Sequence, residues 1–222
     1  LPSLGPRLLV MIHGLCMNDR QWRREGHDHG AALAQELGYT TLYLHYNSGR
    51  HIAENGRELS ALLQQLVDAW PQPLESLTLL GHSMGGLVAR SALHHAQRAG
   101  FDWPRRTRDL VCIGSPHAGA PLEAIGHQID RQLRRVRYLA PLALIGGARS
   151  AGINDLRRGT LGETRRRVGA AADATPLPAA LRLYVIAGTL HAAGTRAAQH
   201  WIGDGLVPLA SALGEHPEPA RH

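Results

Sequence analysis

An α/β fold, a mainly parallel sheet flanked by helices, is the architecture that this sequence predicts, and three observations predict it. Apolar runs that read as strands alternate with one-sided helical stripes along the chain. The first run is continuous rather than alternating, which suits a strand buried on both faces of a parallel sheet. The residues with chemical potential, His13-Gly14, Ser83, the segment 115–119 and the stretch after Gly188, fall just past the carboxyl ends of strands, where open α/β sheets collect their sites. With 222 residues, 44% of them hydrophobic, the chain is long enough for one sizeable core and short for two. A single domain over 1–222 is expected.

Leu8-Leu9-Val10-Met11-Ile12 is the first strand, and it ends in His13-Gly14-Leu15. A short helical pattern over 29–37 stops at Gly38, a good C-terminal glycine. Thr41 to Tyr46 reads as the next strand, closed by Asn47-Ser48-Gly49. From Ile52 the apolar residues Leu59, Leu62, Leu63, Leu66, Val67 and Trp70 form one helical stripe that ends at Pro71. The run Leu77-Thr78-Leu79-Leu80 is the next strand, and a helical stretch begins by Leu87. A basic loop over 101–106 leads to a strand at 109–114. An apolar stripe at Leu122, Ile125, Ile129, Leu133 and Val136, with Gln128, Arg131, Arg134 and Arg135 opposite, marks a further helix. Leu181 to Gly188 is the last clear strand.

Gly81-His82-Ser83-Met84-Gly85 lies between a strand and a helix, which is the context that the G-x-S-x-G motif needs. A serine in such a turn is held clear of its strand, and the glycines are there because a Cβ would meet neighbouring backbone. Ser83 is the candidate nucleophile. The helix after it aims unpaired N–H groups and partial positive charge at any negative charge developing beside the hydroxyl. One such donor is the N–H of Met84, and a second, from the turn after the first strand, is the N–H of Leu15. A serine needs an imidazole to take its proton and a carboxylate to orient that imidazole, in the chain order Ser, acid, His. Asp204, in Gly203-Asp204-Gly205, leads Asp173 and Asp155 as the acid because it follows that order.

The segments Ile12-His13-Gly14-Leu15, Gly81 to Gly85, Ser115-Pro116-His117-Ala118-Gly119 and Gly203-Asp204-Gly205-Leu206-Val207-Pro208 resemble the lipase and esterase branch of the α/β-hydrolase family, closest to bacterial proteins related to the GPI inositol-deacylases. The resemblance runs in order over nearly the whole chain. It implies an α/β-hydrolase fold, a small-molecule or lipid ester substrate and no cofactor. It also implies Ser83 as nucleophile, Asp204 as triad acid, Leu15 and Met84 as oxyanion donors, His13, Gly14 and His82 beside the pocket, and His117 as a supporting residue. The chain departs from the family after Asp204, where no further apolar run precedes the end. The base is therefore His222, or His216, or a histidine beyond this stretch, and the C-terminal part reads as truncated. The segment 120–178, with its helix over 122–136, either forms a small cap whose Arg face makes peripheral membrane contact or packs on the sheet.

Composition excludes several classes. Net charge is +6 and every basic residue is arginine, yet the arginines are scattered and aromatics are only 5%, so no nucleic-acid platform forms. The spacing of the 14 histidines matches no metal motif. Cys16 and Cys112 make no disulfide framework and are expected as free, buried thiols. No apolar stretch reaches the roughly 18 residues of a membrane span, and a soluble, cytoplasmic protein is slightly favoured over a secreted one. An acyltransferase, or a non-catalytic binding member of the fold, is the alternative to an ester hydrolase. The oligomeric state is left open.

Overall fold

The computed structural model describes residues 4–117, Ala151, Asp155 and residues 177–188. In chain order the elements are β1 (Arg7–Ile12), a 3-10 turn at Asp19–Trp22, the two-residue strands β2 (Arg23–Arg24) and β3 (His27–Asp28), α1 (His29–Leu37), β4 (Thr40–Leu44), α2 (Ile52–Asp68), β5 (Ser76–His82), α3 (Met84–Ala99), α4 (Trp103–Arg106), β6 (Thr107–Ile113) and β7 (Arg182–Ile186). The main sheet runs β4-β1-β5-β6-β7, and every neighbouring pair is parallel. The expectation of a parallel sheet holds throughout it.

Chain direction within that order creates one special place. From β1 the chain leaves toward β4, and from β5 it leaves toward β6 on the other side, so the outgoing connections part between β1 and β5. Open α/β sheets bind ligands at such a switch point, beyond the carboxyl ends of the strands. Here those ends are Ile12 and His82.

Alternate residues of β1 bury themselves on opposite faces, as a period of two requires. Leu8, Val10 and Ile12 join Leu59, Leu63, Leu77, Leu79, Leu87, Val88 and Leu93 in the larger core, under α2 and α3. Leu9 and Met11 join Leu80 in a smaller cluster packed by Leu33 of α1 and by Trp22. Each such leucine stabilises the fold by about 1.5–3 kcal/mol through the apolar surface it removes from water. The two large helices sit close because Gly56 of α2 has no side chain: a methyl there would strike the Ser91 side chain of α3.

The C-terminal end of α1 follows the chemistry read from the sequence, and its start adds a cap. Asp28 caps α1 by accepting from the Ala31 N–H at 2.9 Å, and Gly38 closes it with φ 70°. Three details differ from expectation. The strand expected over 41–46 stops at Leu44, because Tyr46 turns away to the end of β1. The basic loop over 101–106 contains the helical turn α4, opened by Pro104 and anchored by a fully buried Trp103. Cys16 is exposed, not buried, while Cys112 is buried as expected. The cap over 120–178, apart from Ala151, Asp155 and residues 177–178, lies outside the described residues. No helix among the described residues is long and apolar enough to cross a membrane.

Candidate active site

Ser83 alone joins β5 to α3. Its backbone sits at φ 53°, ψ −121°, a region that a residue with a Cβ rarely occupies and that costs on the order of 1–3 kcal/mol. Surrounding structure over-determines the turn. The Ser83 N–H donates to the Ile113 carbonyl at the end of β6 (2.8 Å), and the Ser83 carbonyl accepts from the Gly86 N–H (3.1 Å). A methyl at Gly85 would run into the carbonyl oxygens of Ile12 and His13, and one at Gly81 into the backbone of Gly85 and Gly86. One at Gly86 would meet the Ser115 side chain. The glycines thus let the first turn of α3 press onto the ends of β1 and β6. Ser83 itself is 5% exposed.

The turn after β1 crosses directly over the serine. A Cβ built on Gly14 would lie 3.2 Å from the Ser83 Cβ and 3.1 Å from His82 Nδ1. Leu15 and Met84 are buried, and among the described residues neither backbone N–H donates to a backbone or side-chain acceptor. Both are candidates for satisfying an anion beside Ser83, since a buried N–H without an acceptor costs about 1–3 kcal/mol. His82 is partly exposed and meets Trp22 edge-on, with ring centroids 6.4 Å apart.

His13 does not line an open surface. It is fully buried, with its ring stacked on Tyr46 at 4.2 Å and 22°. Burial pushes its pKa below the ordinary histidine value. On the β6 side, His117 is also buried, and its Nδ1 accepts from Arg90 Nη1 at 2.9 Å. Burial first, and the Arg90 charge second, lower its pKa to about 4, so the ring is neutral with its proton on Nε2. Arg90 lies one helical turn beyond Gly86, so this contact fastens the segment 115–117 along α3.

The described residues therefore bring Ser83, Leu15, Met84, His13, Gly14 and His82 together, with His117 a turn of helix away. Asp204, Asp173, His216 and His222 lie outside the described residues, and no described imidazole hydrogen-bonds the Ser83 hydroxyl. Asp155 is engaged elsewhere. Its carboxylate accepts from the Ile52 N–H (2.9 Å) and from His51 Nδ1 (3.0 Å), capping α2. His45 pairs with Asp19 at 2.6 Å on the surface. Among the described residues no three His, Cys, Asp or Glu side chains gather to hold a metal ion. Sequence reasoning missed Tyr46, Arg90 and Trp22. Arginine on a strand-following helix beside a Pro-His dipeptide was a usable signal; nothing local marks Tyr46.

Comparison with known proteins bears on the family and the fold. Residues 4–139, well over half the chain, match the family described as the PGAP1-like alpha/beta domain. No curated protein matches the sequence. Among solved structures, the metagenomic carboxyl esterase MGS0156 is similar over 94% of this chain and 60% of its own, at 18% identity and a TM-score of 0.54. The Bacillus licheniformis lipase BlEst2 in its propeptide form is similar over 71% of this chain and 31% of its own, at 21% identity and a TM-score of 0.52. In its mature form that lipase gives 23% identity, 72% and 58% coverage, and a TM-score of 0.50. The chain thus spans less than two thirds of the length of each. The matched family, with the all-parallel sheet and its serine-bearing switch point, places this chain among the PGAP1-like alpha/beta domains, with the α/β-hydrolase fold of lipases and esterases.

Proposed function

We propose that the protein is a serine hydrolase that cleaves carboxylic esters through an acyl-enzyme on Ser83. The observation that carries the reading is the backbone of Ser83, held at φ 53° between β5 and α3 with Gly14 lying against it. A strained serine at a switch point has no structural purpose that glycine would not serve better. In this reading Ser83 Oγ attacks the acyl carbon while the N–H groups of Leu15 and Met84 hold the oxyanion. The hydroxyl proton passes to an imidazole, which returns it to the departing alkoxide, and water then releases the acid. Asp204 is the acid that orients the imidazole. The imidazole is His222, with His216 or a histidine outside this sequence as the alternatives. His82 and Gly14 border the substrate, and His117 braces the wall of the site. The structural neighbours, a carboxyl esterase and a lipase, support an ester substrate.

The test is labelling by a fluorophosphonate and turnover of short-chain nitrophenyl esters, beside Ser83→Ala. Labelling and turnover that disappear with the substitution are expected. A well-folded wild-type chain that takes no label overturns the reading in favour of a binding member of the fold, and turnover only when an alcohol is supplied points to acyl transfer. Asp204→Ala, His216→Ala and His222→Ala then identify the acid and the base, each true member costing about 10⁴-fold in kcat.

A further inference from the structure

We infer that Tyr46 is a positioning residue for this site: acting through His13, it sets the direction in which the Leu15 N–H points. The inference rests on the ester-hydrolase reading above. Tyr46 lies two residues past the end of β4, which is paired with β1 in the register Ile12↔Leu44. Its hydroxyl donates to the His13 carbonyl at 2.7 Å, and its ring stacks on the His13 imidazole. The same side chain thus holds both the backbone and the ring of one residue.

The ring, so held, acts on the next peptide. His13 Nδ1 is 2.9 Å from the Gly14 carbonyl oxygen, which can only accept, so Nδ1 carries the proton and donates. Met17 N–H donates to the same carbonyl at 3.3 Å. Gly14 C=O and Leu15 N–H belong to one planar trans peptide and point in opposite directions. Fixing the carbonyl from one side therefore aims the amide toward the other. Beyond Leu15, the Cys16 N–H donates to Ser48 Oγ at 3.1 Å, so the exit of β4 grips the turn on both sides of the amide. The Asn47 carbonyl in that exit accepts from Asn55 Nδ2 of α2 at 3.0 Å, which anchors the grip to a helix. Glycine at position 14 cannot restrain its own peptide, and these side chains do it instead.

A plain packing role for Tyr46 predicts something different. Tyr46→Phe keeps the ring, the stack and the buried volume and removes only the hydroxyl. On the full chain we expect kcat for a nitrophenyl ester to fall about 10- to 100-fold with KM within about twofold, because a misaimed donor is felt in the transition state and not in ground-state binding. A kcat within about twofold of wild type, or losses that merely track a lower melting temperature, overturns the inference. A second reading is independent of turnover: the ¹⁵N imidazole spectrum of the wild-type protein at neutral pH should show His13 neutral with its proton on Nδ1. A proton on Nε2, or a charged ring, overturns the inference even if turnover is normal. A folded wild-type chain with no Ser83-dependent turnover overturns the ester-hydrolase reading itself and the inference with it.

Discussion

The starts of α2 and α3 are built in opposite ways. At α2 the orphan donors are met from within the protein: Asp155, more than a hundred residues along the chain, accepts from both the Ile52 N–H and the His51 ring. At α3 the residue in the cap position is Ser83, which makes no side-chain cap hydrogen bond and holds a conformation that its side chain disfavours. The first turn of α2 carries an ordinary acidic residue, Glu54, whereas that of α3 carries none and instead packs glycines onto strand ends. A helix whose N-terminus serves only stability is closed by an anion of its own. In the reading proposed above, the N-terminus of α3 receives its anion from the substrate, at the point where the sheet's connections diverge.

Five experiments break or sharpen that contrast. Ser83→Ala should reduce ester turnover by about 10⁴-fold or more, with the urea midpoint no lower than wild type, because in the proposed reading the hydroxyl serves chemistry and not the helix. Gly85→Ala should lower stability by about 3 kcal/mol or more in denaturant titrations, since the methyl meets two backbone carbonyls that cannot move aside. The third concerns pH. His117 is held neutral in the fold with a pKa of about 4, below its unfolded value of 6.5, so its contribution is complete above about pH 6.5 and is lost as pH falls toward 4. Its full size is about 3 kcal/mol, and His13 adds in the same direction. Unfolding at pH 7 and pH 4.5 should show that loss, and His117→Gln should flatten it. At α1, burial alone would raise the Asp28 carboxyl, but hydrogen bonds from Tyr43, the Ala31 amide and Arg23 together hold it at about 2. That contribution is present above about pH 4 and is lost as pH falls through 2, so hydrogen exchange in mild acid should loosen residues along α3 before the start of α1. Smallest is Asp155→Ala, expected to cost about 1 kcal/mol as a lost cap with ester turnover unchanged. A collapse of turnover there would make Asp155 a contender for triad acid again.

Local pattern carried most of the strand and helix assignments, and the reason is visible in them. The run 8–12 is apolar at every position because both faces of β1 are covered, and of the predicted stripe Leu59, Leu63, Leu66, Val67 and Trp70 face one core, whereas Leu62 is exposed. The elbow was readable because its residue types follow one another in a single turn: a Cβ at Gly81 would meet Gly85 and Gly86 only four and five positions on, although the carbonyls that demand glycine at position 85 belong to Ile12 and His13. What escaped was set at a distance. Tyr46 ends an apolar run like any strand residue, and its partner stands 33 positions earlier. Asp155 looked like a spare acid, because its cap lies across the fold. Trp103 sat in a stretch dominated by arginines, which hid a buried indole that turns the chain into α4.

The left-handed backbone at position 83 has a consequence for variation. Glycine adopts that φ freely, so Ser83→Gly should relax the turn and raise the melting point. Any screen that scores only expression or thermal robustness would reward the change that silences the chemistry. Thermostable variants of this chain should for that reason be sequenced at this codon before their loss of activity is blamed on rigidity.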